Sequence, residues 1–173
     1  MRILIDANIL IALISDKNIR LYSLKDSQVV SNTLARARAL LDVLGQDNNL
    51  KIIIPAPVLA EYLVKVEKEN YQKVLDFVSL NPKLQVVNFD KLAAIECADL
   101  AKLDSPFNVK DINETKAKLV VDRQIVAIAK AHSVDEVWTH DQGLAKRLLQ
   151  VSIVVKSLED IECAPIQTQL FGT

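Results

Sequence analysis

The feature that most constrains this chain is its opening, Met1-Arg-Ile-Leu-Ile-Asp-Ala-Asn-Ile-Leu10. Ile3, Leu4 and Ile5 form an apolar run without alternation. A strand with one wet face alternates, whereas a strand covered on both faces does not, so the run predicts a parallel sheet sandwiched by helices. The run stops at an acid, Asp6, followed by Ala7, Asn8 and more aliphatics. In open α/β sheets, ligands bind just beyond the carboxyl ends of the strands, which is where Asp6 is expected. Asp6 and Asn8 are also good N-cap residues for the following helix, and on these residues alone that second reading stays open.

The same grammar repeats along the chain. Lys51-Ile-Ile-Ile-Pro55 reads as a second buried strand, and Pro57 suits the first turn of the next helix, over 58–68. Glu61 lies in the early turns of that helix beside Lys65 and Lys68, where the helix dipole alone would favour a carboxylate. Leu84 to Val87 reads as a third strand and Glu136-Val-Trp-Thr139 as a fourth, followed by His140 and Asp141. Between them, residues at helical spacing mark helices: Leu34, Ala37, Leu41 and Leu44 with Gly45 as a stop, then Tyr71, Val74, Leu75 and Val78, then Leu92, Ile95, Leu100 and Leu103. Residues 16–32 are polar and irregular, predicting a loop or a short extra element, and Arg36 and Arg38 read as solvated charge. Asp104 and Asp111, in the loop before the next helix, also read as surface charge. Strands alternating with helices predict an α/β fold with a parallel sheet.

The helix predicted over 115–132 carries the strongest chemical signal. At 100° per residue, Leu119, Val121, Ile125, Val126, Ile128 and Ala129 fill one arc, and Asp122 falls in its middle. A carboxylate left unpaired there costs several kcal/mol or becomes neutral. Asp122 therefore needs a cation, from a buried Asp–Arg or Asp–Lys pair or from a metal, or else a cavity open to water. Asp6, Glu61 and Asp141 follow three different strands and share one sheet edge if the sheet is parallel, with Asp122 able to lean toward them. Four converging carboxylates repel one another unless a cation joins them, and an all-oxygen set suits Mg²⁺ or Mn²⁺ rather than Zn²⁺.

Composition narrows the alternatives. The 173 residues favour one domain, and 50% hydrophobic with 25% charged residues is ordinary for a soluble globular protein. No apolar run approaches membrane-spanning length and no signal peptide is visible, which predicts a cytoplasmic protein without a membrane association. Cys97 and Cys163 have no metal-ligand spacing. The net charge of -1 does not advertise a nucleic-acid partner, so any such binding requires a local basic patch. Lys65, Lys116, Arg123 and Lys146 are candidates for one. Three glycines exclude a glycine-rich phosphate loop, and His132 and His140 read as structural or as bystanders.

Four segments taken in order resemble the PIN-domain nucleases, including the VapC-type toxins of bacterial toxin–antitoxin pairs. They are Ile3-Leu-Ile-Asp6-Ala-Asn8, Pro57-Val-Leu-Ala-Glu61, Asp122-Arg-Gln-Ile-Val-Ala-Ile-Ala129 and Trp138-Thr139-His-Asp141. The resemblance implies a three-layer, Rossmann-like fold with a central parallel sheet flanked by helices. It implies Asp6, Glu61, Asp122 and Asp141 as catalytic metal ligands, with Asn8 and Thr139 as polar supports. The implied activity is Mg²⁺- or Mn²⁺-dependent hydrolysis of RNA phosphodiesters. The implied partners are an RNA substrate, a cognate antitoxin and a second copy of the chain. The domain is expected over 1–163, with the extra segment at 16–32 and a polar tail at 164–173.

Three rival readings remain. An aspartate-nucleophile phosphatase also places an acid after the first strand, but it needs a second aspartate where this chain has Asn8. A binding module would use the acids as caps and ion pairs. A nuclease of the same fold would act on DNA or on a precursor RNA.

Overall fold

The computed structural model describes residues 1–103, 107–108 and 114–162. Its centre is a parallel sheet of β1 (Arg2–Ile5), β2 (Lys51–Pro55), β3 (Leu84–Val87), β4 (Glu136–Trp138) and β5 (Val154–Lys156). The strand order is β3-β2-β1-β4-β5. Leu4 is in register with Ile53 on one side and Val137 on the other. Ile3, Leu4 and Ile5 are consecutive and all fully buried, so both faces of β1 are covered, as the unalternating run predicts. β3 lies at one edge of the sheet, with Gln85 and Val86 exposed.

The flanking helices are α1 (Ala7–Ile14), α2 (Thr33–Gln46), α3 (Ala56–Val64), α4 (Tyr71–Leu80), α5 (Lys91–Leu100), α6 (Lys116–Ala131) and α7 (Gln142–Gln150). They pack in two groups: α1 touches α2 and α3, while α6 touches α5 and α7. None of the described helices is long and apolar enough to cross a membrane. The topology creates one special place. From β1 the chain winds outward through β2 and β3, then returns to the other side of β1 as β4. The winding direction reverses between β1 and β4, and at such a switch point the carboxyl ends of the strands open a crevice.

Several local expectations shift. Gly45 lies inside α2, and the helix ends one residue later at Gln46, with Asp47 as an extended C-cap. The buried stripe of α2 is Thr33, Ala37, Leu40 and Leu44, a rotated face that leaves Leu34 and Leu41 half-buried. α3 ends at Val64 rather than at residue 68, and a short 3₁₀ turn, Lys68–Asn70, leads into α4. Leu92 and Ile95 of α5 are each 60% exposed, because the helix turns the smaller Ala93 inward. Val121 is 37% exposed. Arg36 is not solvated charge: its Nη1 donates to the carbonyls of Leu158, Glu159 and Ile161, at 2.6 Å for the last. The sequence pattern does not mark β5, a three-residue strand at the sheet edge whose burial is only partial. Asp104, Asp111, Cys163 and the 164–173 tail lie outside the described residues.

The 16–32 segment is a loop closed by one antiparallel bridge, Tyr22 to Val29. Leu21 and Val30 enter the core, and the Val30 N–H donates to the Leu21 carbonyl at 2.9 Å. His140 ties the loop to the end of β4. Its Nε2 accepts from the Leu158 N–H at 3.1 Å, so its Nδ1 carries the proton and donates to the Tyr22 carbonyl at 2.9 Å. Burial pushes the His140 pKa down, in keeping with this neutral tautomer.

Candidate active site

Asp6, Glu61, Asp122 and Asp141 line one cleft of about 340 Å³ at the β1–β4 crevice. They come from four separate places: the end of β1, the helix after β2, the middle of α6 and the end of β4. Asn8, Lys65 and Lys118 complete the polar lining.

Asp6 is both cap and site residue. It is the N-cap of α1, with Oδ1 accepting from the Ala7 N–H at 2.7 Å. Its Oδ2 accepts from Asn8 Nδ2 at 2.7 Å and from Thr139 Oγ1 at 2.9 Å. Burial pushes its pKa up to about 6; the Ala7 amide and the Thr139 hydroxyl oppose that rise, while Asp141 and Glu61 add to it.

Asn8 and Thr139 lock the two strand ends together. Asn8 Oδ1 accepts from the His140 N–H at 3.0 Å, which fixes the amide so that Nδ2 faces Asp6. Thr139 Oγ1 donates to Asp6 and accepts from the Asp141 N–H at 2.9 Å. Asp141 caps α7, with Oδ1 accepting from the Leu144 N–H at 3.0 Å. One carboxylate oxygen at each strand end is thus held by a backbone N–H, and the other by side chains: Asn8 and Thr139 at Asp6, Lys118 at Asp141.

The remaining contacts are with cations. Asp141 Oδ2 pairs with Lys118 Nζ at 2.5 Å, and Glu61 pairs with Lys65 one turn along α3 at 3.0 Å. Asp122 Oδ2 pairs with Arg147 Nη1 at 2.8 Å, and Arg147 Nη2 reaches Glu114 Oε2 at 2.5 Å. Arg147 is 1% exposed, and Asp122 and Glu114 are buried with it. Burial, reinforced by Asp141, pushes the Asp122 pKa up to about 7, against the pull of Lys118 and Arg147. Burial works against the charge on Lys118, but Asp141, then Asp122 and Glu114, outweigh it and raise its pKa.

The buried Asp–Arg pair weighed for Asp122 is therefore present, and it sits inside the acidic cleft rather than in place of it. Among the described residues, no three acidic, histidine or cysteine side chains are drawn together closely enough to hold an ion as they stand. The donor set still fits a hard divalent cation, being all-oxygen and mutually repulsive. Lys118 and Lys65, which pair with two of these acids, are both partly solvated.

Sequence reading missed Lys118, Glu114 and Arg147. Lys118 had a signal: it stands four residues before Asp122, on the same helix face. Gly143 makes room for the cluster. A Cβ there would lie 2.9 Å from Arg147 Nη1, 3.2 Å from Asp141 Oδ1 and 3.3 Å from Glu114 Oε1. Of the basic residues proposed for backbone binding, Lys65 lines the cleft, Lys146 lies in a neighbouring cavity and Arg123 reaches Asn108 at 3.4 Å.

A family model described as the PIN domain matches residues 3–147. No curated protein matches the chain. Among solved structures, the chain is similar to VapBC2 from Rickettsia felis bound to a DNA fragment from their promoter. That likeness has 20% identity and a TM-score of 0.56, and covers 91% of this chain and 98% of that one. It is also similar to DNA-bound VapBC from Salmonella typhimurium, with 18% identity, a TM-score of 0.57 and coverage of 91% and 98%. A toxin–antitoxin complex from Klebsiella pneumoniae gives 18% identity, a TM-score of 0.52 and coverage of 88% and 95%.

Proposed function

Since this chain belongs to the PIN-domain family, we propose that it is a divalent-metal-dependent endoribonuclease, the toxin of a type II toxin–antitoxin pair. The observation that carries the reading is the convergence of Asp6, Glu61, Asp122 and Asp141 on the cleft at the sheet's switch point. The toxin assignment is supported by the three similar solved structures, each a VapBC or toxin–antitoxin complex in which one chain is matched over 95% or more of its length. In this reading the protein works in the cytoplasm, has an antitoxin partner and pairs with a second copy of itself. Residues 1–163 form its single domain.

Asp6, Glu61, Asp122 and Asp141 would hold Mg²⁺ or Mn²⁺. The bound ion supplies positive charge for the phosphate and lowers the pKa of water. The chain itself positions and excludes. Ala7 N–H, Asn8 and Thr139 fix the Asp6 carboxylate, and Thr139 couples it to the backbone of Asp141. Arg147 orients Asp122 from the protein side. Lys118 and Lys65 lie at the cleft, where each can pass from a carboxylate to a phosphate oxygen. The described lining contains no serine, cysteine or histidine, which favours water as the attacking group.

The test is RNA cleavage by wild type and Asp6→Asn side by side, with Mg²⁺, with Mn²⁺ and with chelator. The reading expects cleavage that requires both the metal and Asp6. Equal cleavage by the two proteins, or cleavage of DNA alone, would overturn it.

A further inference from the structure

The acidic cleft does not end at Asp141. It shares Lys118 and Asp141 with a shallow depression floored by Tyr22, His140 and Gly143. That depression shares Ser27 and Gln142 with a cavity of about 760 Å³ between the 16–32 loop and α7. Three hollows linked by common lining residues make one track leading away from the acids.

The far end of the track differs in chemistry from its start. Lys25, Lys146, Ser27, Gln142 and Gln150 line it, with Asp160 as its acid. Lys146 is exposed, and the Lys25 side chain is 73% exposed, 3.9 Å from Asp160. The cleft carries four acids against two lysines, Lys65 and Lys118, whereas the far end of the track carries two lysines against one acid, Asp160, among the apolar Leu24, Ala145, Leu149 and Val155. This is the arrangement expected when one part of a site binds metal and the next binds a phosphate backbone.

The wall of the track is also built in advance. Gln142 Nε2 donates to Ser27 Oγ at 2.7 Å, and the Leu24 N–H donates to Glu159 Oε2 at 3.3 Å. His140, next to both Thr139 and Asp141, holds the Tyr22 carbonyl. The loop that makes the track is thus fastened to the segment that carries the site, and binding along it needs little ordering.

We infer that the 16–32 loop and α7 form a binding groove for the single-stranded RNA that flanks the scissile phosphate, with Lys25 and Lys146 contacting its backbone. This rests on the nuclease reading above, and it assigns a role to a segment that the acidic site does not use.

The test is binding of a fluorescent 12-nucleotide oligouridine to Asp6→Asn protein, which cannot cut it, by anisotropy across a salt series. Lys25→Ala with Lys146→Ala in that background should weaken binding about tenfold and flatten the log–log salt slope by about 1.4, the share of two phosphate contacts on a single strand. Lys73→Ala with Lys91→Ala, on exposed positions of α4 and α5, removes the same charge and should leave both unchanged. Wild type that cleaves RNA, together with a groove variant that binds as tightly as its parent, overturns the groove and leaves the function standing. An equal loss from the α4–α5 pair also overturns it, since the effect would then be net charge. If wild type cleaves no RNA and the Asp6→Asn parent binds none, both readings fall together.

Discussion

Arg147 Nη1 lies 2.8 Å from Asp122 Oδ2, and both side chains are almost wholly buried. The guanidinium also holds Glu114, so one cation serves two buried carboxylates. A buried ion pair adds little over a well-packed apolar substitute, but removing one partner strands the other. Arg147→Met should therefore destabilise the protein by about 3–5 kcal/mol in urea unfolding at neutral pH. The loss should be largest above pH 7 and shrink as pH falls, because Asp122, with a pKa of about 7 even beside Arg147, takes up its proton. A loss that is small and insensitive to pH would show that the two acids do not depend on Arg147.

Gly143 is the second element of that cluster. Its hydrogen leaves space that a methyl group would take from Arg147, Asp141 and Glu114 at once, the closest approach being 2.9 Å. Arg147 is bound to Glu114, and Asp141 Oδ1 caps α7 through the Leu144 N–H, so the crowded atoms are tethered rather than free to swing away. Gly143→Ala should cost about 1–3 kcal/mol as overpacking and should lower cleavage by displacing Asp141. Unfolding and single-turnover cleavage of the purified variant check both parts.

Thr139 joins the two strand ends through one hydroxyl. Thr139→Val keeps the shape but removes the bonds to Asp6 Oδ2 and to the Asp141 N–H. Supports of this kind are worth about 10–100-fold in metal affinity or activity. Thr139→Ser restores the hydroxyl and should recover most of the loss. Metal titration by calorimetry on all three proteins separates this positioning role from a packing role.

The positions of Asp6 and Asp141 were legible because strand ends in a parallel sheet are set by short apolar runs, whereas Glu61, inside α3, was placed only by the strand that precedes its helix. Asp122 was legible as a misplaced charge on an apolar arc. What answers that charge was not legible, because Arg147 reaches it from another helix and Glu114 from a loop. Pairings between distant elements leave no periodic trace. The faces of α2 and α5 were misjudged for a related reason. Leu92 and Ile95 match a core stripe by spacing, but α5 turns the smaller Ala93 inward. The 16–32 segment carries no periodicity, and its structure comes from bonds to His140, Gln142 and Glu159.

Lys118 should compete with metal. Its ammonium lies on Asp141 Oδ2 at 2.5 Å and faces Asp122 and Glu114 as well. Lys118→Met removes that rival and should tighten Mg²⁺ binding several-fold, by roughly 1 kcal/mol for a partly exposed charge. If Lys118 also meets the substrate phosphate, the variant should bind metal better and cleave RNA more slowly. Unchanged Mg²⁺ affinity would show that the pair does not oppose the ion.

The stabilisation that metal confers should depend on pH in a defined direction. Without metal, Asp6 and Asp122 have pKa values of about 6 and about 7, above the ordinary 3.8. Between about pH 4 and 7 the folded protein then binds more protons at these groups than the unfolded chain does, so their contribution to stability falls as pH rises. His140 has a lowered pKa and acts the opposite way below its ordinary value of 6.5. The two effects separate in a difference measurement. His140 titrates with or without metal, whereas the two carboxyls must lose their protons for metal to bind. The rise in Tm caused by Mg²⁺ should therefore be small near pH 5 and grow through pH 6 to 7, reaching a plateau by about pH 8. Asp122→Asn should lower that plateau and remove the later part of the growth. A Mg²⁺ shift that is constant from pH 5 to 8 would mean that the buried carboxyls do not bind the ion.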